Sequence, residues 1–179
     1  MKEYALVSGV FVGPVGVTLS EAKERIECVW DGIVDDRHHG RTKPAGGREP
    51  YVPRGTELLN IRQVSIVSET ELAEIALRMG VPEVTGPDLG ANLVMKNIER
   101  ITKLPGGTTI KFPARETLLC VIGKNAPCGL PGKNIQARYP HIPQLAKKFR
   151  EQAVGLRGLV AVVLRPGYIC QGDTVEIIL

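Results

Sequence analysis

Among four cysteines, Cys128 has the neighbours that thiolate chemistry needs. It sits in Lys124-Asn-Ala-Pro-Cys-Gly-Leu-Pro-Gly132, between two prolines that fix the backbone and beside Gly129, which leaves space around the sulfur. The stretch is expected to be neither helix nor regular strand. From Thr117 to Arg150 there are six basic residues (Lys124, Lys133, Arg138, Lys147, Lys148, Arg150) and no acid, surroundings that favour a nucleophilic or metal-ligating thiolate. On spacing alone this reading and that of a cysteine holding a turn stand level. Cys28 alternates with Ile26 and Trp30, and Cys120 lies in Leu118-Leu119-Cys120-Val121-Ile122, so both read as small buried hydrophobes. Cys170, beside the last hairpin, reads as structural.

A second cluster is Asp35-Asp-Arg-His-His-Gly-Arg41. Arg37 and Arg41 could clasp a phosphate or carboxylate, and adjacent histidines can bind metal. Equally, His38 and His39 could be loop residues satisfied by Asp35 and Asp36. Zinc would require His38, His39 and Cys128 to meet in the fold. The glycines of GPVGV, LPGG and GLPG fit neither GxGxxG nor a P-loop, and GxSxG is missing. The basic residues Lys133, Lys147, Lys148 and Arg150 could bind an anion or form a solvated face.

The elements that must position these residues form a β-rich plan. Apolar or alternating runs recur at 4–12, 25–30, 61–67, 92–95, 108–112, 117–122, 158–164 and 174–178, mostly joined by Gly or Pro. A barrel or closely packed sheets would bury their apolar faces. Two helices are expected. One is capped by Ser68-Glu-Thr-Glu71, with Glu71 reaching back, and stopped at Gly80. The other begins near Ile142-Pro143 and carries Ile142, Leu145, Ala146, Phe149 and Ala153 on one stripe. Between them and the first strands, residues 34–60 hold four Gly and three Pro, a long irregular tract of the kind that is functional or mobile.

Composition sets the frame. A chain of 179 residues with 43% hydrophobic and 23% charged residues suits one well-buried domain over 1–179, and 20 Gly with 13 Pro argue against a helix bundle. No apolar run approaches the roughly 20 residues of a membrane span, and no signal-peptide plan is visible, which places the chain in the cytoplasm with no membrane partner. A net charge of +4 is too small to argue for nucleic acid, and aromatics at 4% are not interleaved with the basic residues.

In chain order, DDRHHG (35–40), QVSIVSETEL (63–72), GANLVMKNI (90–98), the APC of 126–128, and GLRGLVAVVLRPGYICQGDTVEI (155–177) resemble the MOSC domain, named for the C-terminal domain of molybdenum cofactor sulfurases. The resemblance implies a mainly β, barrel-like fold with two or more short helices and a role with sulfur, molybdenum or the pterin cofactor that carries molybdenum. It implies that Cys128 carries sulfane sulfur or ligates molybdenum. By the same resemblance Arg37 and His38 lie near the cofactor phosphate or support the site, and Gly90, Asn92, Gly172 and Asp173 form turns. Arg41, His39, Lys133 and Arg157 complete the expected cofactor-binding set. Asp35 stands where the family commonly has glycine, and the tract 41–54 lacks the aromatic and acidic pattern of larger relatives. With no desulfurase or ferredoxin-like part, the chain is expected to need partners: a sulfur donor such as a cysteine desulfurase, or an electron-transfer protein. The expected function is sulfur transfer or a small molybdenum-dependent reductase, so a sulfurtransferase or an oxidoreductase. The alternatives are a non-catalytic cofactor carrier or chaperone and, behind it, a basic barrel that binds nucleic acid.

Overall fold

The computed structural model describes residues 2–179. The first strands are β1 (Lys2–Val12), β2 (Glu21–Lys23), β3 (Arg25–Val29) and β4 (Gly32–Ile33). A hairpin follows, β5 (Thr42–Pro44) with β6 (Glu57–Leu59). Then come β7 (Val64–Ser68), helix α1 (Glu69–Met79), β8 (Leu93–Lys96), β9 (Thr109–Phe112) and β10 (Thr117–Lys124). The chain continues through α2 (Gly129–Arg138), α3 (Leu145–Gln152), β11 (Leu159–Arg165), β12 (Gly167–Cys170) and β13 (Thr174–Ile178).

Seven strands close a barrel in the order β13, β9, β10, β11, β7, β8, β1, and β1 pairs back onto β13 from Lys2↔Ile178 to Leu6↔Thr174. Closure removes the sheet edges that a β-rich chain would otherwise expose. Every pairing around the barrel is antiparallel except β7 with β8, and parallel strands need a crossover, which α1 provides. Because α1 covers the outside of this pair, β7 is buried on both faces, from Val64 through Ser68. Alternation explains the other strands. In β10, Thr117, Leu119 and Val121 point inward to join Val7, Ile66, Leu93, Ile110, Phe112, Leu159 and Ile177. Cys120 falls on the opposite face and is half-buried, so the expectation of a fully buried thiol fails there. Cys28 is buried as expected, and burial, with Glu27 close by, pushes its thiol up to about 12.

A second apolar cluster outside the barrel joins α1 (Leu72, Ile75, Met79) to α3 (Leu145, Phe149) through Ile135 of α2 and Val67 and Val94 of the parallel pair. The N-terminus of α1 is capped as expected, with the Ser68 hydroxyl accepting from the Glu71 amide (3.2 Å) and Gly80 in the left-handed conformation. The Glu71 carboxylate is used differently: it accepts from the backbone N–H (3.1 Å) and hydroxyl (2.9 Å) of Thr102. The Thr102 hydroxyl in turn accepts from the Gly158 amide (2.9 Å), at the turn that leads into β11. Gly158 has φ +74° and packs so closely that a Cβ there would lie 1.9 Å from the Ile66 carbonyl oxygen.

Two expectations are corrected. The stretch 124–132 is not all irregular, because α2 starts at Gly129 and Cys128 is its N-cap residue. Pro131 falls in the first turn, where a missing amide costs nothing. The second expected helix starts at Leu145 rather than near Ile142, since Gln144 takes a left-handed conformation (φ 65°). Its first amide is capped from α2, by Gln136 Oε1 at 2.9 Å.

Candidate active site: an arginine-lined cleft around Cys128

The early motif is built around one buried carboxylate. Asp36 Oδ1 accepts from the backbone N–H (2.8 Å) and Nδ1–H (2.9 Å) of His38, and Oδ2 accepts from the Gly13 amide (2.7 Å) and Asn92 Nδ2 (2.7 Å). Burial opposes the charge, but the donors from His38 and Gly13 outweigh it and hold Asp36 below the usual carboxylate range. Asn92 is fully buried and also accepts from the Ser65 amide (2.9 Å), so it ties this loop to β7 beside the start of β8. The next residue, Arg37, runs back over Gly13, where a Cβ would lie 2.0 Å from its guanidinium. Its guanidinium donates to the Val17 carbonyl, the Leu19 carbonyl (3.3 Å) and the Ser20 hydroxyl (3.0 Å). Asp35 holds φ 63°, a left-handed conformation that glycine adopts without strain.

Cys128 lies at the amino end of α2, half-buried, with no atom that would obstruct a Cβ at Gly129 within 4 Å. It opens on a cleft of about 480 Å³ lined also by Arg37, His38, His39, Lys43, Arg48 and Arg62, and floored by Ser65, Asn125 and Arg157. None of the described residues lining this cleft is acidic. Asn125, three residues before Cys128, is the organiser: its Oδ1 accepts from Arg48 (3.0 Å) and Arg62 (2.9 Å), and its Nδ2 donates to Ser65 Oγ (3.3 Å). Its backbone N–H donates to the Gly158 carbonyl (2.9 Å), fixing it beside Arg157.

Arg157 is the least ordinary of these groups. Only 6% exposed, it gives one N–H to the Leu89 carbonyl while Nε and Nη1 have no hydrogen-bond partner. Burial pulls its pKa down to about 10; Cys128 acts in the opposite direction, and Arg48 and Arg62 lower it further. Arg62 is lowered in the same way, first by burial and then by Arg48. Glu49, behind Lys43, and Cys128 offset this only in part for Arg62; guanidiniums gathered with no carboxylate lining the cleft repel one another, and unpartnered buried N–H groups cost free energy. Both costs are relieved by an anion in the cleft.

The expected site residues divide accordingly. Cys128, Arg37, His38, His39 and Arg157 line the cleft together; Arg41 and Lys133 do not, being exposed at the mouth of the β5–β6 hairpin and on α2. Arg37 is largely spent on backbone carbonyls, and His39 Nδ1–H donates to the Ile33 carbonyl (3.2 Å). His38 and His39 share the cleft with Cys128, yet among the described residues no three His, Cys, Asp or Glu side chains group as metal ligands. Sequence reasoning missed Arg48, Arg62, Asn125 and Lys43. Three of them come from the tract 41–62, where the β5–β6 hairpin folds Lys43 and Arg48 over the cleft and Lys43 pairs with Glu49 (2.6 Å). The charge density of that tract, with Lys43, Arg48 and Arg62 near Gly-rich turns, was the available signal.

Fold and cleft together define a closed β-barrel that presents a cysteine, at a helix amino end, to a cationic acid-free site. A family model described as "MOSC domain" matches residues 35–176, and the chain belongs to that family. It is 42% identical over 173 residues to a Bacillus subtilis (strain 168) protein named "Putative metal-sulfur cluster biosynthesis proteins YuaD", covering 97% of this chain and 90% of the relative. The crystal structure of the Bacillus subtilis YuaD protein superposes with a TM-score of 0.96 at 40% identity, over 99% of this chain and 97% of that one. YiiM from Geobacillus stearothermophilus shares the fold alone, with a TM-score of 0.66 at 12% identity over 98% of this chain and 75% of its own. No helix among the described residues is long and apolar enough to cross a membrane.

Proposed function

We propose that the chain handles sulfur on an anionic ligand of the molybdenum cofactor type, with Cys128 as the sulfur-bearing residue and Arg48, Arg62 and Arg157 as the clamp for the ligand's phosphate. The single observation that carries this reading is Arg157, a buried residue lining the same cleft as Cys128, whose Nε and Nη1 have no hydrogen-bond partner. The donor set fits the group. A phosphate oxygen array takes several guanidinium N–H groups at once, and a soft metal or a sulfane sulfur takes a thiolate. When bound, such a cofactor supplies a dithiolene-held metal that can accept a sulfur or thiolate ligand. Asp36 keeps His38 oriented at the rim, so that its other ring nitrogen is available to the bound ligand. Arg37 supports the site through the 13–20 loop, and His39, Arg41 and Lys133 have the lesser roles their positions leave them.

The relative's printed name, which concerns metal-sulfur cluster biosynthesis, supports the sulfur-bearing role of Cys128 ahead of permanent molybdenum ligation. A sulfur donor protein such as a cysteine desulfurase would then be a partner. The test is molybdenum and oxidised-pterin content of the protein purified from a host that makes the cofactor. Both are expected at near-stoichiometric levels, falling in Arg62→Gln. In Cys128→Ala, retention of pterin and molybdenum fits the sulfur-bearing role, whereas loss of molybdenum alone fits metal ligation. Neither element in well-folded wild-type protein would refute the reading; cofactor bound equally by all variants, with no sulfur ever found on Cys128, would leave a plain carrier.

A further inference from the structure

The cleft holds more positive charge than a lone thiolate requires. Arg37 lies next to Asp36 and donates to carbonyls, and Lys43 pairs with Glu49, which also lies near Arg62; Arg48, Arg62 and Arg157 line the cleft of Cys128, where no lining residue is a carboxylate. Arg157, more than nine-tenths buried, keeps Nε and Nη1 without partners. Three guanidiniums match a thiolate together with a dianion. In water those two anions repel, and such a pair meets readily only where fixed cations cancel the repulsion.

We propose that Cys128 is loaded with sulfur from a small sulfane donor whose leaving group is a sulfur oxyanion, thiosulfate being the simplest. This rests on the sulfur-bearing role of Cys128 and puts a small-molecule donor in the place of the protein donor named above. The Cys128 thiolate attacks the sulfane sulfur. A cysteine–sulfur bond forms as the sulfur–sulfur bond of thiosulfate breaks, and sulfite leaves with the electron pair of that bond. A thiolate and a dianion enter, a persulfide anion and a sulfite dianion remain, and no proton or outside oxidant is consumed. Arg157 binds the sulfonate oxygens through its unpartnered Nε and Nη1, Arg62 and Arg48 neutralise the remaining charge, and Asn125 holds both of the latter in place. The persulfide anion forms at the amino end of α2, where the helix amides favour negative charge.

The experiment uses the reduced 179-residue chain and two donors, thiosulfate and inorganic polysulfide, which lacks the oxyanion group. With thiosulfate, peptide mass mapping is expected to find one added sulfur atom on Cys128 and an equal amount of sulfite in solution. Inorganic sulfate is expected to compete. Arg62→Gln, or the more exposed Arg48→Gln if the first variant loses its thermal transition, is expected to raise the half-saturating thiosulfate concentration about tenfold or more. Loading of Cys128 by polysulfide but not by thiosulfate would overturn the donor assignment and leave the sulfur-bearing role intact. Failure of both donors with folded protein would overturn both.

Discussion

At the scale of single residues, the site depends on charges that the fold refuses to solvate. Asp36 is the clearest case, a buried carboxylate whose two oxygens take donors from His38, Gly13 and Asn92. Asp36→Asn turns one acceptor into a donor facing donors, so it is expected to cost about 2–4 kcal/mol at neutral pH. The sign of its pH dependence follows from its depressed pKa: the stabilisation is full above the ordinary carboxylate value and is lost as pH falls through the folded one. The wild-type advantage measured by denaturant unfolding therefore shrinks below about pH 4. The cleft's field has its own signature. Relative to neutral iodoacetamide, anionic iodoacetate is expected to gain at Cys128 and not at Cys120 or Cys170, and added salt should erase the gain. Cys28 should stay unlabelled until the protein unfolds. Cys128, Arg37 and His38 were named through the resemblance, since spacing alone left Cys128 level with a turn cysteine, and all three line the cleft. Arg48, Arg62 and Asn125 were not: they converge from a hairpin, the approach to β7 and the end of β10, and only tertiary pairing makes one Asn125 oxygen their common acceptor.

At the scale of elements, the cleft floor is set by close backbone approaches rather than by side-chain packing. Gly158 joins β11 to β7 at a distance no Cβ allows and receives the Thr102 hydroxyl as its acceptor, and this turn aims Arg157. Gly158→Ala is expected to cost about 3 kcal/mol or more, read as a lowered unfolding midpoint, because it meets both a positive φ and a backbone clash. The expected strands at 4–12, 25–30, 108–112, 117–122 and 174–178 reappear within a few residues, the second in a separate sheet with β12 and β4, since period-two alternation survives in a sheet with one apolar face. Helix α2 escaped notice because Pro127, Pro131 and two glycines, Gly129 and Gly132, argue for a loop, whereas proline in a first turn is compatible with a helix. That error bears on chemistry: the thiol stands at a helix amino end, not in a featureless turn.

At the scale of the whole molecule, barrel closure couples the chain ends to the site. β13 pairs with β1 on one side and β9 on the other, and its Val175 and Ile177 belong to the barrel core. Removal of residues 174–179 exposes two strand edges and withdraws two buried side chains worth roughly 1.5–3 kcal/mol each, so cooperative thermal unfolding should be lost. The closed barrel was legible as a class from recurrent short strands, but not its strand order, which depends on the one parallel pair that α1 bridges. The cleft with no acidic lining residue and its thiol support the proposal that Cys128 is where this protein carries sulfur. The direct measurement is cyanide-labile sulfur on reduced, folded protein after exposure to inorganic polysulfide. One equivalent, mapped to Cys128 and missing from Cys128→Ala, is the predicted result; no labile sulfur, or sulfur spread equally over Cys120 and Cys170, would contradict it.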